Sequence, residues 1–292
     1  MPASVDEMVV RVADVCSYKW DMLKYRPLAF FLSAFAGGAF VSFGAMLALS
    51  VSAGVPENLA PGVANLLMGL VFMFSLVIIM FSGMTLVTAD MAYGVIGVFH
   101  RRIGWGRFFW GIVVGYAGNF AGSMFFLWLL SKGGGYQAMP WLVRAHAIGA
   151  AKTGETAMQI FVMAIICTWT LQTAALLFVK ANDDVSKVLM AAYGPLAFVA
   201  GMTEHCIANI GFLAVPLFQQ ETYLKAVENI VADPVILHWG FGQYGWAHNQ
   251  LYTVLGNFIG GILFVGVIFQ LISNPDGVKE IYKSKKSFFM KL

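Results

Sequence analysis

The stretch Gly201-Met202-Thr203-Glu204-His205-Cys206-Ile207-Ala208-Asn209 decides the fold, because it places two ionisable residues in the middle of a long apolar region. An ionisable side chain inside a bilayer costs about 2.5–3.5 kcal/mol on the gentlest scale, so such residues usually face a protein interior or a water-filled cavity. The stretch therefore predicts a membrane helix that breaks where Glu204 and His205 lie.

A second stretch repeats this pattern in the first half of the chain, where residues 82–90 read Ser-Gly-Met-Thr-Leu-Val-Thr-Ala-Asp. Both stretches contain Gly-Met-Thr, and both put polar residues where an apolar run ought to continue. We interpret the pair as two broken membrane helices that meet at a shared pathway.

The composition supports a membrane setting. The chain has 292 residues, of which 59% are hydrophobic and 11% are charged, with a mean hydropathy of +0.75. A soluble domain carries about 25% charged residues. Cys16, Cys167 and Cys206 are odd in number and lack metal-ligand spacing, so we expect no disulfide framework, metal site or cofactor. Nothing in the sequence indicates nucleic-acid binding or a cleavable signal peptide.

Six apolar runs follow one another at residues 28–53, 64–99, 108–130, 156–179, 188–218 and 251–272, and the second and fifth are interrupted. The third and sixth runs share Gly-Asn-Phe-x-Gly, at 118–122 and 256–260. Three is odd, so two such halves insert with opposite orientation. Broken segments at matching places in inverted halves indicate a transport site near the membrane midplane.

We therefore expect an all-α membrane protein with six transmembrane helices. It would comprise a polar, amphipathic lead-in segment 1–26, a channel domain 27–273 and a basic tail 274–292. The repeats would cover about 27–131 and 154–273, with a Gly-rich connection at 131–155.

The basic residues predict the orientation. All but four of the 18 lysines and arginines lie at the N-terminus, in the loops after the second and fourth runs, or in the tail that includes Lys291. The exceptions are Lys132, Arg144, Lys152 and Lys225. Because cytoplasmic loops carry the excess of Lys and Arg, both termini are predicted to be cytoplasmic.

His205 is the first candidate for a role in transport. Its imidazole titrates near neutral pH and could hydrogen-bond or protonate a small anion. A lone histidine on an apolar face is more often a core residue, but the membrane setting, the break and the repeat favour function. Thr88 is expected to be the hydroxyl partner that fixes its tautomer. Asn209 would donate into the lumen or satisfy loose backbone, and Glu204 would accept from freed N–H groups or lie at a subunit contact.

Charge is expected to draw anions to this pathway. A broken helix exposes a new N-terminus that carries about +0.5 charge. Half-helices that begin after Thr88 and after His205 would aim N–H groups at the lumen, which favours an anion. Lys152 would attract anions at the outer mouth, unless it is simply a solvated interfacial lysine. Lys19 could do the same inside, more weakly.

From Lys19 to Ile272 the chain resembles the formate/nitrite transporter family of pentameric, aquaporin-like anion channels. The most specific element is Glu-His-x-x-Ala-Asn at Glu204–Asn209. The resemblance implies a homopentamer in a prokaryotic inner membrane, with His205 and Thr88 between two hydrophobic constrictions. The cytoplasmic constriction would be Leu76, Leu86 and Phe198, and the outer one Phe72, Val87 and Leu171. Asn119, Asn257, Glu204 and Thr168 would give structural support.

Two departures from the family pattern affect the expected substrate. The usual second break reads Gly-x-Glu-Leu-Phe-Thr, but here Thr85 replaces Glu and Val87 replaces Phe; Thr168 replaces an asparagine common in the fourth helix. We place Thr85 in the pathway. A threonine at this position resembles a subgroup of the family that is associated with formate uptake.

We therefore expect a channel or proton-coupled carrier for a small monovalent anion. Formate is foremost, and nitrite and hydrosulfide remain open. A neutral-solute pore for water or glycerol is the alternative from another class, although it would show paired Asn-Pro-Ala signatures. A membrane enzyme would need a second catalytic cluster, which the sequence lacks.

Overall fold

The computed structural model describes residues 3–55 and 61–289. Lys291, counted among the basic residues of the tail, lies outside the described residues. Within the described residues the chain forms the following helices, with a π-helical segment, Gly260–Val267, between α11 and α12: α1 Val5–Tyr25, α2 Pro27–Ser52, α3 Pro61–Ser82, α4 Val87–Phe99, α5 Trp105–Lys132, α6 Met139–Gly154, α7 Ala157–Lys180, α8 Asp184–Ala200, α9 Cys206–Phe218, α10 Gln220–Val227, α11 Trp246–Ile259, α12 Ile268–Ile272 and α13 Pro275–Phe289.

The helices match the predicted all-α membrane fold. By length and composition, α2, α3, α5, α7 and the continuous stretch Trp246–Ile272 can each cross a membrane. Helices α4 and α9 are shorter and apolar. Helices α3 and α4 make up the broken second segment, and α8 and α9 make up the broken fifth. We call the side of α1 the inner side and the side of α6 the outer side.

Both breaks are shorter than the polar stretches in the sequence. The first comprises residues 83–86, and the second comprises residues 201–205. As expected, α9 begins directly after His205. Helix α4 begins at Val87, so the expectation that it starts after Thr88 was wrong, and Thr88 lies in its first turn. The backbone becomes helical as soon as the chain has passed its N-cap residue, Leu86.

Helix α1 is part of the body of the protein. Ser4 and Glu7 form a capping box at its start, which satisfies two backbone donors reciprocally. The segment was predicted to be amphipathic, and its apolar face, which includes Val12 and Cys16, is buried in a core shared with α4 and α5. A Cβ atom added at Gly97 of α4 would overlap Cys16, so α1 and α4 are in close contact.

Two features differ from the sequence interpretation. The Gly-rich connection predicted at 131–155 contains helix α6, which starts with a proline in its first turn, where proline is well tolerated. The sixth segment is not a regular α-helix, because it changes to π-helix at Gly260. Gly260 and Gly261 lie against Thr168 of α7, where the absence of a Cβ lets the two helices approach.

Close packing between α2 and α5 provides a test of the fold. A Cβ atom at Gly122 would overlap the backbone of Phe35, whereas one at Gly106, on the same helix, would meet nothing within 4 Å. We expect Gly122→Ala to destabilise the protein by about 1–3 kcal/mol, because overpacking forces the backbone to shift. Gly106→Ala is the matched control and should not lower the thermal unfolding midpoint in detergent. Equal midpoints for the two variants would contradict this packing.

Candidate functional site

Asn119 of α5 holds the first break in place. Its Oδ1 accepts from the backbone N–H of Val87 at 2.9 Å, and its Nδ2 donates to the carbonyls of Thr85 and Ala34 at 2.9 and 2.7 Å. The groups of Val87 and Thr85 have no helical partner at the break, and an unpaired buried backbone group costs free energy, whereas Ala34 belongs to α2. The side chain of Asn119 therefore replaces the missing helical hydrogen bonds.

Asn257 of α11 does the same at the second break. Its Oδ1 accepts from the N–H of Cys206 at 2.8 Å, and its Nδ2 donates to the carbonyls of Glu204 and Ala164, both at 2.9 Å. The two asparagines thus make equivalent contacts in the two halves of the chain.

These contacts define the register between the halves. Thr85 and Val87 take the places of Glu204 and Cys206. Counting along α4 and α9 from there, the remaining pairs of equivalent residues are Leu86 with His205, Thr88 with Ile207, and Asp90 with Asn209.

His205 connects the two halves. It is the N-cap of α9, and its Nδ1 accepts from the backbone N–H of Ala208 at 3.1 Å. Its Nε2 lies 2.9 Å from Oγ1 of Thr88, in the first turn of α4. A backbone N–H can only donate, so Nδ1 must be unprotonated and Nε2 must carry the proton of the neutral ring.

This tautomer assigns the donor to Thr88. Nε2–H of His205 donates to the Thr88 hydroxyl oxygen, which leaves the hydroxyl proton free to donate elsewhere. The sequence interpretation paired the same two residues but made Thr88 the group that fixes the tautomer. In the structure, the backbone amide of Ala208 fixes it.

One aromatic ring stacks on the imidazole from its outer side, and two more pack behind that ring. Phe198 stacks on His205 with ring centroids 5.2 Å apart, and Phe72 meets Phe198 at 5.4 Å and Phe212 at 5.9 Å. We call Phe72, Phe198 and Phe212 the aromatic collar. The sequence interpretation missed Phe212, although it follows His205 by seven positions, the spacing that returns to the same face of a helix.

Phe198 was wrongly assigned to the cytoplasmic constriction. It packs against Phe72 and lines the same small cavity as Lys152, at the outer end of α8. The motif register could not give the depth of a residue on α8, because this helix runs outward while α3 runs inward. Phe198 therefore belongs with the outer residue Phe72.

Leu171 was wrongly assigned to the outer constriction, because it lies at the depth of Leu76. Val87 is the first residue of α4, where a Cβ at Gly115 of α5 would lie 3.6 Å from it. Leu171 is the fifteenth residue of α7 and Leu76 the sixteenth of α3, and both helices run inward, so the two leucines lie at about the same depth. Leu171 therefore groups with Leu76 and Leu86, which are also buried, and we call these three the inner leucines.

A buried ion pair lies beside the second break. Nζ of Lys152 is 2.5 Å from Oε1 of Glu204, and Oε2 of Glu204 accepts from Asn209 at 2.5 Å and Asn249 at 2.9 Å. Nζ also donates to the carbonyl of Thr203 at 3.3 Å. Both oxygens of the carboxylate are therefore satisfied by side chains, rather than by the freed N–H groups that we expected.

The pairing changes the interpretation of Lys152. This lysine is only 6% exposed, so it is not a solvated interfacial residue, and its charge is balanced by Glu204. Its partners use two of the three ammonium protons, and the residue lines a cavity with Phe198 and Asn209. The cavity has a volume of about 10 Å³, room for about one water molecule.

The inner half also contains a buried pair, between Lys19 of α1 and Asp90 of α4, with Nζ 2.5 Å from Oδ1. Asp90 ends the second polar stretch in the sequence, yet the sequence interpretation gave it no role. Thr85, assigned to the pathway, instead hydrogen-bonds Ser33 of α2 at 3.2 Å. Thr168, a predicted support residue, donates back to the carbonyl of Ala164 within α7.

Two histidines outside the spans are engaged in other contacts. His100 lies between Tyr282 and Gln270, and burial lowers its pKa. His146 of α6 stacks on Tyr223 with centroids 3.8 Å apart, and burial lowers its pKa as well. Neither contacts the breaks.

The matches to known proteins agree with this architecture. A family model described as "Formate/nitrite transporter" matches residues 6–271. The chain is 29% identical over 244 residues to "Nitrite transporter NirC" of Escherichia coli (strain K12), covering 83% of this chain and 82% of that protein. It is 26% identical over 278 residues to "Probable formate transporter" of Methanothermobacter thermautotrophicus, covering 88% and 93%.

A solved structure has the same fold. The chain superposes on "Pentameric formate channel with formate bound" with a TM-score of 0.71 and 23% identity, covering 84% of this chain and 96% of that one. These proteins are described as transporters and channels, not enzymes.

The tautomer of His205 can be measured directly. In ¹⁵N NMR spectra of the histidine-labelled protein at neutral pH, we expect the His205 ring to show an unprotonated Nδ1 and a protonated Nε2, because the Ala208 amide occupies Nδ1. The signals are assigned by their loss in His205→Asn. A protonated Nδ1 would refute the capping contact.

Proposed function

The chain belongs to the formate/nitrite transporter family, and we propose that it carries a small monovalent anion, with formate foremost, across a membrane. The observation that carries this proposal is the contact between His205 and Thr88. Two hydrogen-bond donors from opposite halves of the repeat meet in the protein interior, next to the aromatic collar.

The substrate is supported by chemistry and by relatives. A neutral imidazole and a hydroxyl can bind an anion by donating to it, while the N-termini of α4 and α9 add partial positive charge. One relative is described as a probable formate transporter, and a structure of the same fold as a formate channel. Nitrite is the second candidate, because the relative at 29% identity is described as a nitrite transporter. Hydrosulfide also remains open.

We infer the following sequence of events from the outer side. The anion passes Lys152, whose charge Glu204 balances, and so meets a polar but nearly neutral entrance. It then crosses the aromatic collar, which excludes water, and binds at His205 and Thr88. It leaves past Leu76, Leu86 and Leu171.

Coupling of transport to protons would cost His205 one of its hydrogen bonds. A neutral ring with its proton on Nε2 has one hydrogen bond to donate, which goes to Thr88 in the structure and would pass to an anion that displaces it. To protonate the anion, His205 must first gain a second proton at Nδ1, which breaks its contact with the amide of Ala208. Passage of the neutral acid then avoids most of the cost of a charge in hydrocarbon.

Location and assembly complete the proposal. The protein is an integral membrane protein, and we place it in a prokaryotic cytoplasmic membrane with both termini in the cytoplasm, on the charge asymmetry of its loops. A homopentamer is supported by the pentameric channel of the same fold. The exposed aromatic residues on α5, such as Phe109 and Trp110, would then face lipid or a neighbouring subunit.

Uptake of labelled formate into liposomes tests the role of His205. We expect His205→Ala to slow uptake about 10- to 100-fold, the loss expected for one hydrogen bond to a charged group. His248→Ala is the control, because His248 contacts Tyr252 of α11 instead of the breaks. An unchanged rate for His205→Ala would exclude the proposed role.

A second experiment ranks the substrates by a selectivity series of formate, nitrite, hydrosulfide, acetate and chloride across pH. Osmotic swelling of the liposomes through passage of water or glycerol would instead favour a neutral-solute pore.

The hydroxyl of Thr88 is tested by a matched pair of variants. Thr88→Val keeps the shape but removes the donor, so formate uptake should fall about tenfold. Thr88→Ser keeps the hydroxyl and should retain most of the rate. If both variants transport equally well, the hydroxyl does not contact the anion.

A further inference from the structure

Each half of the chain buries one lysine against one carboxylate, but the two carboxylates occupy different positions. In the second half, Glu204 of the break pairs with Lys152 of α6. In the first half, Asp90 of α4 pairs with Lys19 of α1. In the register set by Asn119 and Asn257, the position of Asp90 corresponds to Asn209.

The register gives two positions in each half, one held by Thr85 or Glu204 and the other by Asp90 or Asn209. We call the two positions of one half a couple. In the second half they hold an acid and an amide, Glu204 and Asn209, whose side chains contact each other at 2.5 Å. In the first half they hold a hydroxyl and an acid, Thr85 and Asp90. Each couple thus contains one carboxylate, and each carboxylate faces one buried lysine. The carboxylate of the first half therefore lies five residues further along the register than the carboxylate of the second half.

The first half must keep one carboxylate because Lys19 is buried there. A buried lysine that loses its only counter-ion is destabilising by several kcal/mol, so a chain with Thr85 in the break needs another acid within reach of Lys19. Asp90 meets that need, and Nζ of Lys19 also lies 5.7 Å from the ring of Tyr93 on the same helix. Helix α1 is thereby bound to the first two turns of α4.

We propose that Asp90 is the positioning residue of the inner half: as the counter-ion of Lys19 it takes the role that Glu204 has in the outer half. Through α1 it holds the first turn of α4, and hence Thr88, against His205. The consequence for uptake rests on the anion transport proposed above. The consequence for the contact between α1 and α4 does not.

Asp90 is less well satisfied than Glu204. Its Oδ2 has no hydrogen-bond partner among the described residues, although it is buried. Glu204 uses both of its oxygens. The inner pair therefore depends on the single contact with Lys19, and replacing Asp90 should loosen α1 more than replacing an exposed acid on the same helix.

Cys16 provides a reporter that does not depend on transport. It is fully buried where α1 meets Gly97 of α4, so a maleimide reaches it only when the helices separate. We expect Asp90→Asn to be labelled at Cys16 at least about tenfold faster than the parent, read by peptide mass spectrometry. Asp21→Asn, which removes an exposed acid that pairs with Arg107, is the control and should leave the rate unchanged.

A double variant that places the carboxylate at position 85 instead of position 90 distinguishes a positioning role of the carboxylate from a general structural effect. The double variant Thr85→Glu/Asp90→Asn restores the arrangement of the second half, so Cys16 labelling should return to within about twofold of the parent and formate uptake should recover with it. Parent-like labelling in Asp90→Asn would overturn the proposal, and so would a double variant that behaves like Asp90→Asn. If the parent carries no formate, the labelling result still decides the question.

A second double variant tests the proposal in case Asp90→Asn does not fold. If Asp90→Asn yields no folded protein, Lys19→Met/Asp90→Leu removes both charges, and an apolar replacement of a buried pair is tolerated. We then expect folded protein with slow labelling at Cys16. A double variant that also fails to fold would overturn the proposal, because Asp90 would then support something other than Lys19.

Discussion

A membrane interior supplies no water to satisfy backbone groups, so a helix can break there only if other atoms take over its hydrogen bonds. Asn119 and Asn257 do this at the two breaks, each by accepting from one backbone N–H and donating to one carbonyl of the break. Each also donates to a carbonyl of a neighbouring helix, Ala34 of α2 or Ala164 of α7. Without them, the start of α4 and the start of α9 would each bury unpaired groups. The meeting of Thr88 and His205 follows from these two side chains.

The same constraint explains the polarity of the interior. Buried charges occur beside each break, but as pairs, and the hydrogen bonds of His205 are those of a neutral ring with both nitrogens engaged. Burying a charge is costly unless it is paired. An interior of this kind can bind an anion through neutral donors and helix ends while keeping little net charge of its own.

Much of the fold could be predicted because ionisable residues are rare in apolar sequence: Glu204 and His205 revealed the second break, and the echo at 82–90 revealed the repeat. The depth of a residue in the membrane and the partner of a buried charged side chain could not be predicted in the same way. Phe198 and Leu171 lie on helices that run in opposite directions, so a motif register placed each at the wrong end. Asp90 was overlooked because the sequence does not show that the lysine of α1 reaches it.

The aromatic collar and the inner leucines make the interior chemically asymmetric although its scaffold has internal symmetry. Leu86 stands where the twofold relation would put a second imidazole, so flat aromatic rings lie on the outer side of the centre and branched aliphatic side chains lie on its inner side. The repeat therefore sets the backbone of the centre but leaves its chemistry free to differ between the two faces of the membrane.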